Sequence, residues 1–419
     1  MLSMNRLFPY TGAALAACAV VSPAHAQETL APLTPVSLRA ALSGADNTDA
    51  LAERVRAYFG AGRMATGAPP KVDNAPTGLT VAWAIDAPGL APGQVPAVTT
   101  DDMNLRYLPL TRIGATSVYA GTAVLPRGLA GHWSYRLPTG AKGSGQIEDY
   151  PVNIEEKARP EVPKGKLTAM PDWNSTIFEG TSRSWWVYVP AQYKADKPAP
   201  VMIFQDGGGP KNWMPTVFDN MIAKGEIPPM VGIFINPGRF VADKKDDRSV
   251  EYDTVSDKYA RFLLEEILPE VEKTTKLSHN PDDRALFGVS SGGICAFNVA
   301  WQRPDEFHKV DTCVGSFTNL QGGPTGFAGG NTIPAMIRKN TGWQHDGKPK
   351  PIKMFQTDGA NDIDNAAGSW PLANQEIAKA LDFGGYEHRF VFGNGFHGDR
   401  FGRYNMPDAL RYLWSAPKQ

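Results

Sequence analysis

The sequence predicts an α/β chain: a mostly parallel sheet flanked by helices, preceded by a small all-β sandwich. Three observations predict it. From about Ser184 onward, short apolar runs alternate with helix-like stretches, the rhythm of parallel strands joined by crossover helices. Over residues 76–155 the apolar runs are short, closely spaced and separated by Gly- and Pro-bearing turns, as in a sandwich. A length of 419 residues, 42% hydrophobic, suffices for both units and a deep pocket. The 42 Lys+Arg balance 43 Asp+Glu, so the total charge gives no basic surface for nucleic acid.

Residues 1–26 read as a signal peptide. Arg6 and the α-amine give a positive start, Thr11 to Val21 is a short apolar run, and Ala24-His25-Ala26 fits the small-x-small cleavage rule, leaving Gln27 first. Leu15-Ala16-Ala17-Cys18 offers a rival reading as a lipoprotein box with Cys18 lipidated, although the apolar stretch before it is thin. A periplasmic or secreted bacterial protein is expected, without a membrane span, since no later run has 18 consecutive apolar residues. Cys295 and Cys313 make neither a disulfide framework nor a zinc site, and read as buried small apolar residues.

Residues 27–75 form an N-terminal helical or irregular segment, with a helix over Asp49 to Phe59 that Asn47 or Thr48 would cap. Leu79 to Ala84, Ser117 to Val124 and His132 to Leu137 are expected strands of the 76–155 sandwich. Residues 156–166 are charged, Pro-bearing and read as a linker. In residues 167–419, Ser184 to Val189, Ala199 to Phe204, Pro229 to Ile235, Ala285 to Gly288, Ile352 to Gln356 and Glu387 to Phe392 are expected strands, and Asp257 to Lys273 a long amphipathic helix.

The chemistry points to one place. Gly288-Val289-Ser290-Ser291-Gly292 matches G-x-S-x-G, a weak pattern alone. Here an apolar strand precedes it and a helix-like stretch to Gln302 follows. A serine on so tight a turn takes a strained backbone, needs small neighbours at ±2, and exposes its hydroxyl at the carboxyl end of the sheet, beside a helix N-terminus that favours negative charge. Ser290 is therefore the candidate nucleophile.

A serine needs a base. In sheets of this type the order is serine, acid, histidine. His132 and His279 precede the serine, His308 ends the following helix, His345 precedes the acids and His388 lies inside a strand. His397, in the Gly-flanked loop after the last strand, is the base candidate. The acid follows the preceding strand: Asp362 first, then Asp358, which instead could brace the turn, then Asp364. An oxyanion hole needs two backbone donors: the Ser291 amide, and one from Asp206-Gly207-Gly208-Gly209, with Gly207 ahead of Gly208. No metal motif is present, the triple glycine lacks the Lys-Ser/Thr of a phosphate loop, and no cofactor is expected.

Residues from about 165 to 415 resemble the esterase family of α/β-hydrolases that includes enterochelin-type esterases, esterase D, and feruloyl and acetyl-xylan esterases. The matching segments are PVMIFQDGGG (200–209), RSVEYD (248–253), GVSSGGICAFNVAWQRPDEF (288–307), GSFTNLQGG (315–323), QTDGANDIDNAAGSWPLANQEIAKAL (356–381) and GNGFHG (393–398). The resemblance implies an α/β-hydrolase fold, a triad of Ser290, Asp362 and His397, and oxyanion donors Ser291 and Gly207. Residues 76–155 resemble, in layout more than in residues, the carbohydrate-binding-module-like sandwich that precedes the hydrolase domain in enterochelin-type and some feruloyl esterases. The expected activity is a secreted serine esterase acting on feruloyl or acetyl esters of plant polysaccharide. Trp213 and Trp370 are candidates to stack on substrate. A siderophore tri-ester, anionic and so calling for a cation such as Lys211, Arg239 or Arg400, is the alternative; a catalytically silent glycan-binding protein is the third reading.

Overall fold

The computed structural model describes residues 31–100, 105–150, 152–320, 329–341 and 348–415. The expected signal peptide, the Cys18 box and His345 lie outside them. Among the described residues no helix is long and apolar enough to cross a membrane.

Three helices, Pro35–Leu42, Asp49–Phe59 and Ala61–Thr66, open the described chain. Thr34 caps the first in a reciprocal box with Ser37. Thr48 stands at the N-cap of the second without a side-chain bond, while Asn47 is drawn off to the sandwich, bonding Arg112 O and the Gly114 amide. Leu38, Leu51, Val55, Phe59 and Met64 pack on Ala82, Ala84, Val118 and Ala120. On the opposite face of the same strand, Val81, Trp83 and Ile85 join Val98, Trp133 and Tyr135 inside the sandwich. The strand Gly78–Asp86 is thus covered on both faces, which is why its stretch Val81–Ile85 is apolar without alternation.

The sandwich has two four-stranded sheets. One runs Lys71–Ala75, Gly78–Asp86, Val118–Leu125, Thr111–Arg112; the other runs Tyr107–Pro109, Ala97–Thr100, Ala130–Leu137, Gly140–Glu148. It therefore begins before residue 76. Lys71–Ala75 pairs antiparallel with Gly78–Ala82 but is an edge strand, mostly exposed, so its composition carries no apolar signal.

Residues 156–166 are no free spacer. The buried Glu155 carboxylate, just before them, pairs with Lys224 and Arg159; Asn220 Nδ2 donates to the carbonyls of Glu155 and Lys157 (2.7 and 3.0 Å). The Gly165 amide donates to Asp219 (2.8 Å), and the next residue enters the main sheet. Charge read as solvation is spent on ion pairs that strap the segment down.

The main sheet has eight strands: β1 Lys166–Ala169, β2 Trp185–Val189, β3 Val201–Gln205, β4 Val231–Ile235, β5 Arg284–Val289, β6 Lys309–Cys313, β7 Lys353–Asn361 and β8 Glu387–Phe396. Their order is β1-β2-β4-β3-β5-β6-β7-β8, parallel from β4 to β8 and antiparallel at β1/β2 and β2/β4. This is the α/β-hydrolase fold. Side chains of β3 alternate between two cores: Val201 and Ile203 pack with Phe262, Ile294 and Phe297, Met202 and Phe204 with Phe218, Phe287 and Met406. Full burial of each such side chain is worth about 1.5–3 kcal/mol.

One expected helix is interrupted. Over residues 258–272 the chain is helical at Lys258–Phe262, widens into a π-turn at Leu263–Ile267 and resumes at Leu268–Glu272. Pro269 has no amide to give, and the wider turn falls just before it.

Candidate active site

Because β3 and β5–β8 run parallel, the loops leaving them share one edge of the sheet. Ser290 leaves β5, Ser316 follows β6, Asp362 follows β7 and His397 follows β8.

Ser290 sits at φ 59°, ψ −122°, between β5 and the helix Ser291–Gln302. A non-glycine residue there costs about 1–3 kcal/mol, held by its surroundings. The Ser290 amide donates to Cys313 O and its carbonyl accepts from the amides of Gly293 and Ser316, so the bend is stitched to its own helix and to the end of β6. Gly288 is required sterically: a Cβ there would lie 1.9 Å from Gly292 O. Gly288→Ala should therefore destabilise the protein by at least about 3 kcal/mol, seen as a lower midpoint in thermal unfolding; an unchanged midpoint would mean that the bend is loosely packed.

The three expected side chains meet. His397 Nε2 is 2.8 Å from Ser290 Oγ, and His397 Nδ1 is 2.6 Å from Asp362 Oδ1. The Asp362 carboxylate is fully buried and also accepts from the Ile363 amide (2.6 Å). Asp358 stands behind it, at the end of β7. Its Oδ1 accepts from the Gly359 amide, and its Oδ2, like Asp362 Oδ2, is buried without a partner among ionised groups. Burial, and then contact with the Asp362 carboxylate, hold the Asp358 carboxyl well above the usual range. A proton on Asp358 would satisfy both orphaned oxygens, in keeping with its raised pKa, and among the described residues the hydrogen bond to His397 Nδ1 comes from Asp362 and not from Asp358. Asp364 is exposed in a small hairpin with Ser369.

The other described histidines are engaged elsewhere. His279 meets Glu272, His308 meets Asp282 and Pro304 O, and His388 meets Asp382. His132, set aside by chain order, nonetheless stands near the site, edge-on to Phe396 (4.7 Å).

The oxyanion donors need correction. Ser291 opens its helix, so its amide has no intrahelical acceptor. The Gly207 amide is taken: it donates to Ile235 O (2.9 Å), extending the β3–β4 ladder, and a Cβ at Gly207 would lie 2.3 Å from the Ile235 amide nitrogen. The glycine there serves close packing against β4. The Gly208 amide donates to Asn236 Oδ1 (2.8 Å), so neither glycine presents an unpaired donor.

The segment RSVEYD forms the helix Arg248–Asp253 and buttresses the site. Arg248 holds Asp206 bidentately (2.8 Å twice), Tyr252 Oη accepts from the Asp206 amide, and Asp253 accepts from Ser249 (2.7 Å). Glu251 holds Arg183 in a fully buried bidentate pair (2.7 and 2.8 Å). Polar side chains on one short helix thus fix the loop beside the nucleophile.

Ser316 was not singled out from the sequence as a site residue. Its Oγ is 3.1 Å from Ser290 Oγ and accepts from Trp370 Nε1 at 3.1 Å. Trp370 is buried and meets His397 edge-on (5.7 Å), so it supports the site rather than offering a stacking face. Trp213 is core, beneath Arg403. The matching segment GSFTNLQGG contains Ser316 but assigns it no role, because its meeting with Ser290 depends on the β5–β6 register.

The sandwich walls the site. Leu129 bridges Asn394, Arg400 donates to Tyr150 O (3.0 Å), and Arg403 pairs with Glu156 (2.6 Å). Between the two units lies a cleft of about 540 Å³, lined by Thr100, Arg106 and His132 on one side and by Ala360 to Asp364, Phe396 and His397 on the other. Of the cations expected in an anion pocket, Arg400 lines a separate hollow around Trp133, Arg239 lines another near Asn236, and Lys211 lies over Trp186. Arg106, which composition did not single out, lines this cleft together with Asp362 and His397, while Ser290 is not among the lining residues.

The family model described as "Putative esterase" matches residues 175–354, a span that includes Ser290 and ends before Asp362 and His397. The Iron(III) enterobactin esterase of Dickeya dadantii (strain 3937) is 27% identical over 255 residues, 59% of this chain and 55% of that protein. The chain thus spans little more than half the length of the curated relatives it matches. Among solved structures, the ferric enterobactin esterase of Salmonella typhimurium aligns with a TM-score of 0.61 at 18% identity, covering 86% of this chain and 98% of that one. The enterochelin esterase of Shigella flexneri gives 0.60 at 17%, covering 84% and 96%. At these identities the likeness is one of fold, and it extends over the sandwich as well as the main sheet.

Proposed function

We propose that the protein hydrolyses carboxylic esters through a covalent acyl-enzyme on Ser290, a reading supported by the match of residues 175–354 to the esterase family model and by the α/β-hydrolase fold. The observation that carries this reading is the unbroken run of contacts from Ser290 Oγ through His397 to the buried Asp362 carboxylate. Ser290 Oγ attacks the carbonyl carbon while its proton passes to His397 Nε2. Asp362 holds Nδ1–H and stabilises the imidazolium. The tetrahedral oxygen is received by the Ser291 amide at the positive end of its helix. The alcohol leaves with the proton from His397, and water, activated by the same ring, releases the acid. A silent glycan-binding protein would have no use for a strained serine bonded to a base.

For the substrate we favour an anionic ester of the catecholate-siderophore type over feruloyl or acetyl esters of plant polysaccharide. Arg106 and His132 give the cleft cationic and hydrogen-bonding character. Neither of the two tryptophans expected to stack on a sugar or aromatic acyl group, Trp213 and Trp370, lines the cleft. Methyl ferulate, acetylated xylan and a catecholate siderophore tri-ester should be assayed side by side. The siderophore ester is expected to turn over best, with Arg106→Ala raising its KM roughly 5- to 10-fold and leaving p-nitrophenyl acetate unaffected. Preference for methyl ferulate or xylan would overturn the substrate assignment while leaving the esterase intact.

A further inference from the structure

Beyond the triad, the geometry points to Ser316 as the hydroxyl that aims the nucleophile: it donates to Ser290 Oγ and so directs the Ser290 proton at His397, with Trp370 setting the direction. The inference rests on Ser290 being the nucleophile. Ser316 is buried, and its amide donates to Ser290 O at 3.0 Å, so the two serines are fixed side by side. Among the described residues its Oγ has two side-chain partners, Ser290 Oγ and Trp370 Nε1, each at 3.1 Å. The contact between the two serines allows either oxygen to donate, and donor accounting favours one polarity. An indole N–H only donates, so Ser316 Oγ accepts from Trp370. Its own proton is left for Ser290 Oγ, which then has one hydrogen to give and one nitrogen to give it to, His397 Nε2 at 2.8 Å. The imidazole must carry its proton on Nδ1, facing Asp362 Oδ1 at 2.6 Å. One direction runs through the whole chain of contacts, from a buried indole to a buried carboxylate.

Remove the indole donor and one of the contacts that orient the Ser316 hydroxyl is lost, so Ser316 turns more readily to accept from Ser290, pointing the nucleophile's hydrogen away from its base. Trp370 is well placed to prevent this. It is buried, its amide donates to Ile363 O (2.9 Å), and it opens the helix Trp370–Gly384. As attack proceeds, the Ser290 O–H bond breaks toward His397 and the bond to the carbonyl carbon forms. Negative charge on Oγ rises in between, and the Ser316 donor then serves a charged acceptor, for which a hydrogen bond is stronger. In the acyl-enzyme the same atom is an ester oxygen and a poor acceptor. The contact is worth most in the transition state and belongs in kcat rather than KM.

The test compares Ser316→Ala and Trp370→Phe with the wild type in two readouts: the rate at which a fluorophosphonate probe labels Ser290, and steady-state hydrolysis of p-nitrophenyl acetate. Ser316→Ala should slow labelling about 10- to 100-fold, lower kcat similarly and leave KM within about twofold. Trp370→Phe, which keeps a ring against His397 but removes the N–H, should lose several-fold in the same quantities, and decides the matter if Ser316→Ala does not fold. Labelling at the wild-type rate in both variants, or a loss confined to KM, would overturn the role of Ser316. Absence of labelling in the wild type would instead remove the nucleophile, and the inference with it.

Discussion

Replacement of Ser290 by alanine is expected to lower kcat/KM for p-nitrophenyl acetate by roughly four to six orders of magnitude. The remaining groups can polarise a carbonyl but have no atom to attack it. His397 would be left beside an empty position, with Ser316 Oγ the next hydroxyl, 3.1 Å beyond the lost one and not in contact with the ring. Ser290→Gly should be as inactive yet unfold at a higher temperature than the alanine variant. At φ 59° any side chain is strained, and glycine alone is at ease there. The pair of variants separates chemistry from folding: activity lost in both, stability moving in opposite directions from the wild type or at least apart. Substantial turnover in either would remove Ser290 from the reaction.

The second large effect is expected at the acid. Asp362→Asn should cost about 10³- to 10⁴-fold in kcat. A neutral amide beside His397 Nδ1 neither stabilises the imidazolium nor enforces the tautomer that leaves Nε2 free for Ser290. Asp358→Asn should cost about tenfold or less. Its amide can still donate to Asp362 Oδ2 as the protonated carboxyl would, and the hydrogen bond to the imidazole comes from Asp362. Burial and the neighbouring carboxylate keep Asp358 protonated at neutral pH, so the substitution removes no charge. Asp358→Leu, by contrast, leaves Asp362 Oδ2 unsatisfied and should resemble a partial loss of Asp362. Parallel measurement of kcat for the three variants checks the ranking; if Asp358→Asn is the more damaging, the acid role moves to Asp358.

What could be read from the sequence was what chain order encodes. In a parallel sheet the loops that leave the carboxyl ends share an edge, so a serine after one strand, an acid after a later one and a histidine after the last converge whatever the exact register. Ser290 and His397 could be picked out on that ground, and Asp362 as the first of three acids, ahead of Asp358 and Asp364. The glycines at 207 and 208 could not be assigned in the same way. Which amide of the loop is unpaired depends on how far the β3–β4 ladder continues, and it continues one bond further than the pattern suggests, to Ile235 O. Ser316 and Arg106 could not be assigned a role for a related reason. Each reaches the site through tertiary packing, one by the register of β6 against β5, the other by the seating of the sandwich against the His397 loop. The edge strand Lys71–Ala75 escaped because an edge strand buries little, and the strap over residues 156–166 because ion-paired and solvated charges look alike in a sequence.

The most direct measurement is rapid quenching of the enzyme during turnover of p-nitrophenyl acetate, followed by mass spectrometry of its peptides. An acetyl increment on the peptide carrying Ser290, appearing before steady state and absent from Ser290→Ala, is the expected result. Turnover with no increment, or an increment on Ser316 or elsewhere with Ser290 unmodified, would contradict covalent catalysis by Ser290.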